Sequence, residues 1–393
     1  MDKPKVMSVY GTRPEAIKLA PVIKALENDP RFDSIPVSTG QHKEMLDQVN
    51  RMFGIMPAFD LELMKDGQGL NSLVSRALAG LDPILEEVNP DVIIVQGDTS
   101  TAMAAAIAGF HRNVKVVHLE AGLRTGDINS PFPEEANRTI ISRVASLHLA
   151  PTKGTSRNLI AEGISENDII VTGNTVIDAL FEAVTWSTLF EDPVLREFEV
   201  TGARLVVVTT HRRENLSALK KIGAAIHELA TEHPDVFFVL PLHSNPAVRG
   251  GLLPEVQSLD NVVITNPLPY DQFTKLLNSA TLVLSDSGGI QEEAPSLGTP
   301  VLVMRDKTER PEAIEAGTVR LVGTDRERIV TETRRLLNDR LELHAMANAV
   351  NPYGDGFATS RTVAAIGALV GVSERPEPFV PEIESRFRRV SNG

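Results

Sequence analysis

The sequence predicts an α/β protein with two Rossmann-like doubly wound domains that face a central cleft. Short β-branched runs alternate along the chain with longer amphipathic stretches, which is typical of parallel strands joined by helices on both faces of a sheet. The alternation lapses once, between Trp186 and Gly202, and then resumes. Nearly every expected strand ends in residues able to do chemistry, and in open α/β sheets ligands bind beyond the carboxyl ends of the strands.

Twelve strands are expected, six on each side of the lapse. Those of the first half are Lys5–Tyr10, Ile35–Thr39, Asp91–Gln96, Val114–Leu119, Leu147–Ala150 and Ile169–Thr172. Those of the second half are Arg204–Thr209, Val236–Leu240, Val262–Thr265, Leu282–Ser285, Val301–Met304 and Val319–Val322. We interpret Trp186–Gly202 as the connection between an N-terminal domain at residues 1–180 and a C-terminal domain at 200–360. A C-terminal helix at 360–385 is expected to rejoin the N-terminal domain.

Length and composition exclude several classes of function. The chain has 393 residues, enough for two domains that each bury a core. Its net charge of −13 argues against a nucleic-acid-binding surface, so an anionic ligand has to be held by local clusters of arginine and lysine. Because there is no cysteine, disulfides, a thiolate nucleophile and zinc–thiolate sites are excluded. No signal core and no bilayer-spanning apolar run is evident, so we expect a cytoplasmic protein without a membrane or nucleic-acid partner.

An apolar strand, a glycine turn and a helix start follow one another at Leu282–Glu293. Gly288 and Gly289 lack a Cβ, so backbone N–H groups can approach a diphosphate there, and the helix dipole favours negative charge. A carboxylate one turn into the helix, Glu292 or Glu293, can accept both hydroxyls of a ribose. These features indicate a nucleoside diphosphate ligand. A plain strand-to-helix connection, with acids that complement the helix dipole, explains the turn equally well.

The strand ends of the first half bring carboxylates together. Asp98 and Glu120 follow the third and fourth strands, and Glu134 lies in the loop after the fourth. Neighbouring carboxylates raise one another's pKa and so can divide acid and base roles. Asp98 could instead cap the next helix, and Glu134 or Glu135 could instead pair with Arg138. The convergence of three acids on one cleft favours catalysis.

Cations follow the strand ends of both halves. Arg13 and Lys18 come after the first strand, where they can reach the mouth of the cleft. His211 and Arg212 follow the first strand of the second half. Histidine can donate to a phosphate or move a proton near neutral pH, and arginine offsets the charge of a diphosphate. A lone histidine is more often structural, but the adjoining arginines favour a functional one.

Nine segments carry a resemblance to a known family: Gly11–Glu15, Gln96–Thr99, His118–Thr125, Pro133–Arg138, Thr172–Val176, His211–Asn215, Ser285–Pro295, Thr308–Glu312 and Asn351–Gly356. They resemble the motifs of the non-hydrolysing bacterial UDP-N-acetylglucosamine 2-epimerases, from about residue 5 to about residue 370. The resemblance is specific because many separate motifs occur in order with compatible spacing.

The resemblance implies domains of the glycosyltransferase-B type, usually in a homodimer. It implies the interconversion of UDP-N-acetylglucosamine and UDP-N-acetylmannosamine, which supplies cell-surface polysaccharides. The family is thought to eliminate UDP across carbons 1 and 2, to hold 2-acetamidoglucal and UDP, and to re-add UDP with the proton delivered to the opposite face. This chemistry needs cations on the diphosphate and acid/base groups on two faces of the ring, but no NAD, metal or other cofactor.

Individual roles follow from the matched motifs. The expected catalytic residues are Asp98, Glu120, Glu134 and His211. The expected UDP-binding residues are Arg13, Lys18, Arg212, Ser287, Gly288, Gly289, Glu293 and Arg310. Gln41, His42, His243 and Arg249 resemble positions that bind a second UDP-N-acetylglucosamine as an allosteric activator, although Gln41 and His42 could simply end a strand and cap a helix. Which carboxylate removes the proton and which returns it stays open.

Two residues depart mildly from the family pattern. Thr299 stands where a lysine is common and Ser217 where a glycine is common, and neither is a proposed catalytic group.

Three other functions are open. A glycosyltransferase of the same fold would need an acceptor site. A catalytically dead nucleotide-sugar sensor would lack one of the four catalytic groups, all of which are present. A hydrolysing variant that releases N-acetylmannosamine and UDP is a closer competitor. A modified sugar, such as a 2,3-diacetamido uronic acid, is also open as the substrate.

Overall fold

Two parallel sheets organise the chain in the computed structural model, which describes residues 3–41, 43–64, 67–196, 202–242 and 245–381, with only the backbone of Arg213. The described residues form two compact units. The first runs to Ala179 and takes up the chain again from Tyr353, and the second runs from Leu180 to Pro352. None of the described helices is both long and apolar enough to cross a membrane.

The first unit has a seven-stranded sheet with helices between its strands. Its strands are β1 (Lys5–Tyr10), β2 (Asp33–Ser38), β3 (Phe59–Asp60), β4 (Val92–Gln96), β5 (Lys115–Leu119), β6 (Leu147–Ala150) and β7 (Ile169–Val171). Its helices are α1 (Arg13–Asn28), α2 (Lys43–Phe53), α3 (Leu70–Val88), α4 (Ser100–His111), α5 (Glu134–Val144), α6 (Lys153–Ala161) and α7 (Thr175–Val184), the last of which runs across the boundary with the second unit. A 3₁₀ helix covers Glu166–Asp168.

The order of the strands in this sheet sets where ligands can bind. The order is β3-β2-β1-β4-β5-β6-β7, with every pairing parallel. The direction of the chain through the sheet therefore reverses between β1 and β4. The crevice at such a reversal, beyond the carboxyl ends of the strands, is the binding place in doubly wound folds. β4 is buried along its whole length, as expected for a central strand covered by helices on both faces.

The second unit repeats this architecture with six parallel strands. They are β8 (Arg204–Thr209), β9 (Val236–Pro241), β10 (Val262–Thr265), β11 (Leu282–Ser285), β12 (Val301–Val303) and β13 (Val319–Leu321), in the order β10-β9-β8-β11-β12-β13. The helices are α8 (Leu219–Glu232), α9 (Pro246–Val256), α10 (Tyr270–Ser279), α11 (Ile290–Ser296), α12 (Pro311–Glu315), α13 (Arg326–Asn338) and α14 (Arg340–Ala347), with a 3₁₀ helix at Arg213–Ala218. Here the reversal lies between β8 and β11, whose ends align with Thr209 opposite Ser285.

The structure differs from the expected elements at the strand β3 and at the C-terminal helix. The two-residue strand β3 was not predicted, because two residues are too few to show a periodic pattern. The helix predicted at 360–385 is instead α15 (Ala358–Leu369) over the described part of that range, and it ends before Gly371 with its left-handed φ of 78°. Residues 382–385 lie outside the described residues. Beyond it the chain lies beside β7, and the Phe379 N–H donates to Val171 O at 2.7 Å.

The segment interpreted as a connection packs on the second unit over its described part. Phe190 and Leu195 are buried, and Lys275 of α10 donates through Nζ to Thr188 O at 2.6 Å. The first unit ends at Ala179, within α7, close to the expected end at residue 180, and the chain returns to it after Pro352 instead of residue 360.

Candidate active site

Glu120 is the centre of a polar cluster in the first unit. It follows β5 and is 8% exposed. Lys18 Nζ lies 2.6 Å from both of its carboxylate oxygens, and Asn174 Nδ2 donates to Oε1 at 3.0 Å. The side-chain amide of Gln96, at the end of β4, donates to Oε2. Donors from three parts of the unit thus hold one carboxylate in place and stabilise its charge.

The backbone at Glu120 is strained. Its φ is 62°, in the left-handed region that side chains other than glycine rarely adopt. Such a conformation costs on the order of 1 kcal/mol or more, and it persists at functional sites where the surroundings determine it. Gly97 also has a left-handed φ, of 67°, and a Cβ there would lie 3.6 Å from Glu120 Oε2. The loops after β4 and β5 are therefore shaped around this carboxylate.

Asp98 stands beside this cluster and is suited to carry a proton. Burial raises the pKa of Asp98; Arg138 opposes that shift, and the charges of Glu120 and Glu134 add to it. Arg138 Nη2 lies 2.6 Å from Asp98 Oδ2. Asn137 Nδ2 donates to Asp98 O at 2.9 Å and ties the loop to α5. A carboxyl group with a raised pKa beside a charged one is the arrangement that divides acid and base roles.

Glu134 is the third acid and begins α5. Its Oε2 is shielded from solvent and has no hydrogen-bond partner among the described residues. The three predicted acids lie close enough for the charges of Glu120 and Glu134 to raise the pKa of Asp98. The alternative roles of these acids, a helix cap and a pair with Arg138, hold only in part. Glu135, not Glu134, pairs with Arg138, at 3.3 Å. Asp98 is not the helix cap, because the N-cap of α4 is Thr99, which accepts from Ala102 N at 3.0 Å.

Arg13 is a cation of the first unit with no partner in the described part of the chain. It is the first residue of α1 and is partly exposed. Lys18, which was predicted for the same role, is in contrast engaged by Glu120. An unpaired guanidinium at a helix N-terminus after a central strand is well placed for a phosphate.

Glu15 is a residue of this site that sequence reasoning did not single out. It is 1% exposed and accepts through Oε2 from Gly11 N at 3.0 Å and Thr12 N at 2.7 Å. Its Oε1 accepts from Thr99 Oγ1 at 2.6 Å, which joins the loops after β1 and β4. Burial raises the pKa of Glu15, against the effect of these donors. The capping-box spacing from Thr12 to Glu15 was the available signal.

In the second unit, the glycine turn between β11 and α11 rests on an ion-pair network. Arg310 is 8% exposed and pairs with Glu292 and, at 2.9 Å, with Glu309 Oε1. A Cβ on Gly288 would lie 2.6 Å from Arg310 Nη1, so a larger residue there would have to displace this guanidinium. Arg310 was predicted to bind UDP; the structure commits its charge to two carboxylates beneath the turn. Arg212, the other predicted arginine, is partly exposed with Nη2 3.4 Å from Glu309 Oε1.

The two glutamates that follow the glycine turn differ in their exposure to solvent. Glu292 is buried by its pair with Arg310, whereas Glu293 is partly exposed, which favours Glu293 as the ribose acceptor. Gly289 is the N-cap of α11. Ser287 N donates to Ser285 Oγ at 3.0 Å, which fixes the start of the turn. Burial alone would raise the pKa of Glu309, but the charges of Arg310 and Arg305 lower it to about 2.

His211 lies across the sheet reversal from this turn. It follows β8, and its side chain is 43% exposed. Its Nδ1 is 3.4 Å from Oδ1 of Asp286, the residue after β11. Asp286 is fully buried and was not predicted as a site residue. The strand order, which places β8 next to β11, brings these two residues together although 75 positions separate them in the chain.

The comparisons with known proteins identify the family. A family model described as UDP-N-acetylglucosamine 2-epimerase matches residues 24–367. The chain belongs to the UDP-N-acetylglucosamine 2-epimerase family. The family resemblance predicted from the motifs is confirmed, and so is the fold class of two Rossmann-like units of the glycosyltransferase-B type.

Individual members of the epimerase family are similar over nearly their whole length. The chain is 50% identical over 372 residues to the UDP-N-acetylglucosamine 2-epimerase of Yersinia pestis, covering 92% of this chain and 98% of that one. It is 49% identical over 369 residues to the enzyme of the same name from Escherichia coli strain K12, with the same coverage. The crystal structure of the UDP-GlcNAc 2-epimerase from Neisseria meningitidis bound to UDP-GlcNAc is 44% identical, with a TM-score of 0.84, and covers 92% of this chain and 99% of that one.

The positions predicted for an activator in this epimerase are only partly described. Gln41 accepts from Thr101 Oγ1 at 2.7 Å in the first unit, which ties it to α4. Arg249 donates through Nη2 to Asn266 Oδ1 at 2.7 Å in the second unit. His42 and His243 lie outside the described residues. The activator site therefore stays a prediction.

Proposed function

We propose that this protein interconverts UDP-N-acetylglucosamine and UDP-N-acetylmannosamine by eliminating UDP and adding it back. The observation that carries the proposal is the acid cluster of the first unit, in which Asp98, with its raised pKa, stands beside Glu120, which is paired with Lys18. The names of similar proteins support the substrate, since two relatives are named UDP-N-acetylglucosamine 2-epimerase and a third is bound to UDP-GlcNAc in its crystal structure.

The forward half of the proposed reaction makes an alkene. A carboxylate takes the proton from carbon 2 of the sugar, the electrons of that C–H bond form the double bond between carbons 1 and 2, and the bond from carbon 1 to the diphosphate oxygen breaks. The electron pair of the broken bond leaves with UDP. Because carbon 2 has no adjacent carbonyl to stabilise a carbanion, departure of the diphosphate has to assist the removal of the proton.

The reverse half restores the nucleotide sugar with the other configuration. The UDP oxygen forms a bond to carbon 1, and a protonated group delivers a proton to carbon 2 on the face opposite to the one it left. Two acid/base groups are needed. We propose that Asp98 is one of them, since burial favours its protonated form. Glu134, whose Oε2 has no partner among the described residues, is proposed as the other.

We propose that cations and the glycine turn bind the diphosphate and the ribose of the nucleotide. Arg13, unpaired in the first unit, and His211 and Arg212 in the second are proposed to contact the diphosphate. Gly288 and Gly289 give it access to backbone N–H groups, and Glu293 takes the ribose hydroxyls. Lys18 and Arg310 are proposed to act mainly through the carboxylates that they hold, Glu120 and Glu292.

Proton NMR in heavy water tests the reaction. Incubation of UDP-N-acetylglucosamine with the pure protein should produce deuterium at carbon 2 together with UDP-N-acetylmannosamine. Free N-acetylmannosamine and UDP would instead identify a hydrolysing enzyme. No exchange, even at high substrate concentration, would contradict the proposal and favour another sugar or transfer to an acceptor.

Isosteric variants test the acids. Asp98→Asn, Glu120→Gln and Glu134→Gln should each lose most of the turnover and still bind UDP by calorimetry, because the nucleotide contacts are made elsewhere. Glu87→Gln, on the exposed face of α3, is a matched control and should keep full turnover. Full activity in any of the first three would remove that residue from the mechanism.

Assembly and regulation are further parts of the proposal. We propose a homodimer, with UDP-N-acetylglucosamine as both substrate and activator, feeding cell-surface polysaccharide synthesis in the cytoplasm. Sedimentation would measure the assembly. If the activator site operates, the reverse rate from UDP-N-acetylmannosamine should rise on adding a trace of UDP-N-acetylglucosamine, and Arg249→Ala should abolish that rise while leaving UDP binding intact.

A further inference from the structure

Asp286 lies where it can hold the loop after β8, which carries His211, in place. It comes directly after β11, beside the loop that leaves β8, at the reversal of the strand order. Its side chain has no solvent exposure. No lysine or arginine side chain among those described lies within 4 Å of it, so hydrogen-bond donors and a histidine have to balance its charge. Burying a carboxylate without donors or an opposite charge costs roughly several kcal/mol of stability. The donors around Asp286 are therefore needed to offset that cost.

Four donors of the loop after β8 converge on this carboxylate. The hydroxyl of Thr210 donates to Oδ2 at 2.8 Å and Asn215 Nδ2 donates to the same oxygen at 3.0 Å. The backbone N–H of His211 is 3.1 Å from both oxygens, and that of Arg212 is 3.0 Å from Oδ2. The fifth group is the ring of His211, with Nδ1 3.4 Å from Oδ1. The backbone contacts fix the position of the histidine, and Nδ1 is the ring nitrogen that comes within 3.4 Å of the carboxylate.

We propose that Asp286 is the positioning residue of His211, which it holds in the tautomer with hydrogen on Nδ1 so that Nε2 faces the ligand. A carboxylate only accepts hydrogen bonds, so a ring nitrogen directed at it has to carry a hydrogen. The side chain of His211 is 43% exposed, so the ring is accessible to a ligand. Partners of this kind fix the tautomer and the orientation of functional histidines. The inference rests on the proposed function, because the ligand of His211 is taken to be the diphosphate.

A spectroscopic test does not depend on turnover. Long-range ¹H–¹⁵N spectra of the ¹⁵N-labelled protein with UDP at pH 7.5 report which nitrogen of each histidine carries hydrogen, and His211→Gln identifies the signal. We expect hydrogen on Nδ1 in the wild-type protein and a shift towards the Nε2–H tautomer in Asp286→Asn. A neutral Nε2–H tautomer in the wild-type protein would overturn the proposal. The outcome is the same whether or not the protein epimerises its substrate, so the two proposals fail separately.

A double-mutant cycle separates positioning from a purely structural role. Asp286→Asn should lower kcat by about 10- to 100-fold, the range of losses for partners that orient a functional histidine, and change KM less than about threefold. Because Asp286 acts through His211, the double variant with His211→Gln should be no slower than His211→Gln alone, within about twofold. Multiplying losses would mean that Asp286 only supports the fold, which would overturn the proposal.

Thr210→Val is the matched control for loop stability. It removes a hydrogen bond to the same carboxylate and leaves the contact between Asp286 and the His211 ring. We expect it to lower the melting temperature and to keep kcat within about threefold of the wild-type value, since one neutral hydrogen bond is worth about 1 kcal/mol. A loss of kcat as large as that of Asp286→Asn would show that loop stability alone accounts for the effect, and so contradict the proposal.

Discussion

Lys18 Nζ lies 2.6 Å from both carboxylate oxygens of Glu120. The first residue was predicted to bind phosphate and the second to act in catalysis, and the structure makes them partners of each other. Glu120 is 8% exposed, so the pair is largely removed from water. Breaking a buried pair by removing one partner leaves an uncompensated charge, which is strongly destabilising.

The first prediction concerns the coupling of this pair. Lys18→Met should reduce the free energy of unfolding by about 3 kcal/mol, because Glu120 then keeps its charge without the cation. In the Glu120→Gln background the same change should cost at least about 1 kcal/mol less. Urea denaturation of the four proteins measures the difference. Lys220→Met, on the exposed face of α8, is the control and should be additive with Glu120→Gln; additivity of Lys18→Met as well would contradict the pairing.

The second prediction concerns Arg13, which has no partner among the described residues. Arg13→Ala should weaken UDP binding by about tenfold or more, the worth of a hydrogen bond between charged groups, and leave the melting temperature unchanged. Calorimetry with UDP measures the affinity. Arg51→Ala, at the exposed end of α2, should change neither quantity. Unchanged affinity in Arg13→Ala would refute its placement at the phosphates.

The third prediction concerns the space above Arg310. In Gly288→Ala the new Cβ would lie 2.6 Å from Arg310 Nη1, and the guanidinium that has to shift is paired with Glu292 and Glu309. We expect UDP affinity to fall by at least about tenfold and the protein to lose about 1–3 kcal/mol of stability from the overpacking.

Gly250→Ala is the matched control for this change. Gly250 lies in α9, and a Cβ there would meet no atom within 4 Å. Alanine is the better helix former, so this variant should gain about 0.5–1 kcal/mol with unchanged UDP affinity. Normal UDP binding by Gly288→Ala would show that the turn does not need the close approach of its backbone.

The fourth prediction concerns two buried imidazoles on neighbouring strands, His118 and His148. Burial lowers the pKa of His118 to about 3 and the pKa of His148 to about 4. In the unfolded chain both titrate near pH 6.5, so between these values the unfolded state binds more protons and stability falls as the pH falls. At pH 5 each imidazole should cost about 2 kcal/mol, at about 1.4 kcal/mol per pH unit.

Urea denaturation at pH 7.5 and pH 5.0 measures this dependence. His148→Leu removes one of the two imidazoles, so its loss of stability between the two values should be about 2 kcal/mol smaller than that of the wild-type protein. His344→Gln, at an exposed position on α14, should titrate like the wild-type protein. An equal pH dependence in His148→Leu would mean that His148 already binds its proton in the folded state.

Local patterns were enough to predict the strands and the polar strand ends. Strands of four to six residues carry a continuous apolar run, and the expected bounds of such strands as β8 and β11 match the structure. The two-residue strand β3 has no local signature, because two residues are too few to show a period. The sequence could predict only the local contacts of Glu15, because a capping box involves residues three positions apart. Its hydrogen bond with Thr99, 84 positions away, has no sequence signal.

The sequence by itself determined the fold class, the family and the set of groups able to do chemistry, because alternation, strand ends and ordered motifs are properties of the chain read in order. Only the tertiary structure decided how those groups are used. It joined Lys18 to Glu120, committed Arg310 to two carboxylates, left Arg13 unpaired and placed Asp286 beneath His211. The physical reason is that charge pairing and burial depend on distance in space, and the order of the strands, which brings β1 beside β4 and β8 beside β11, sets that distance.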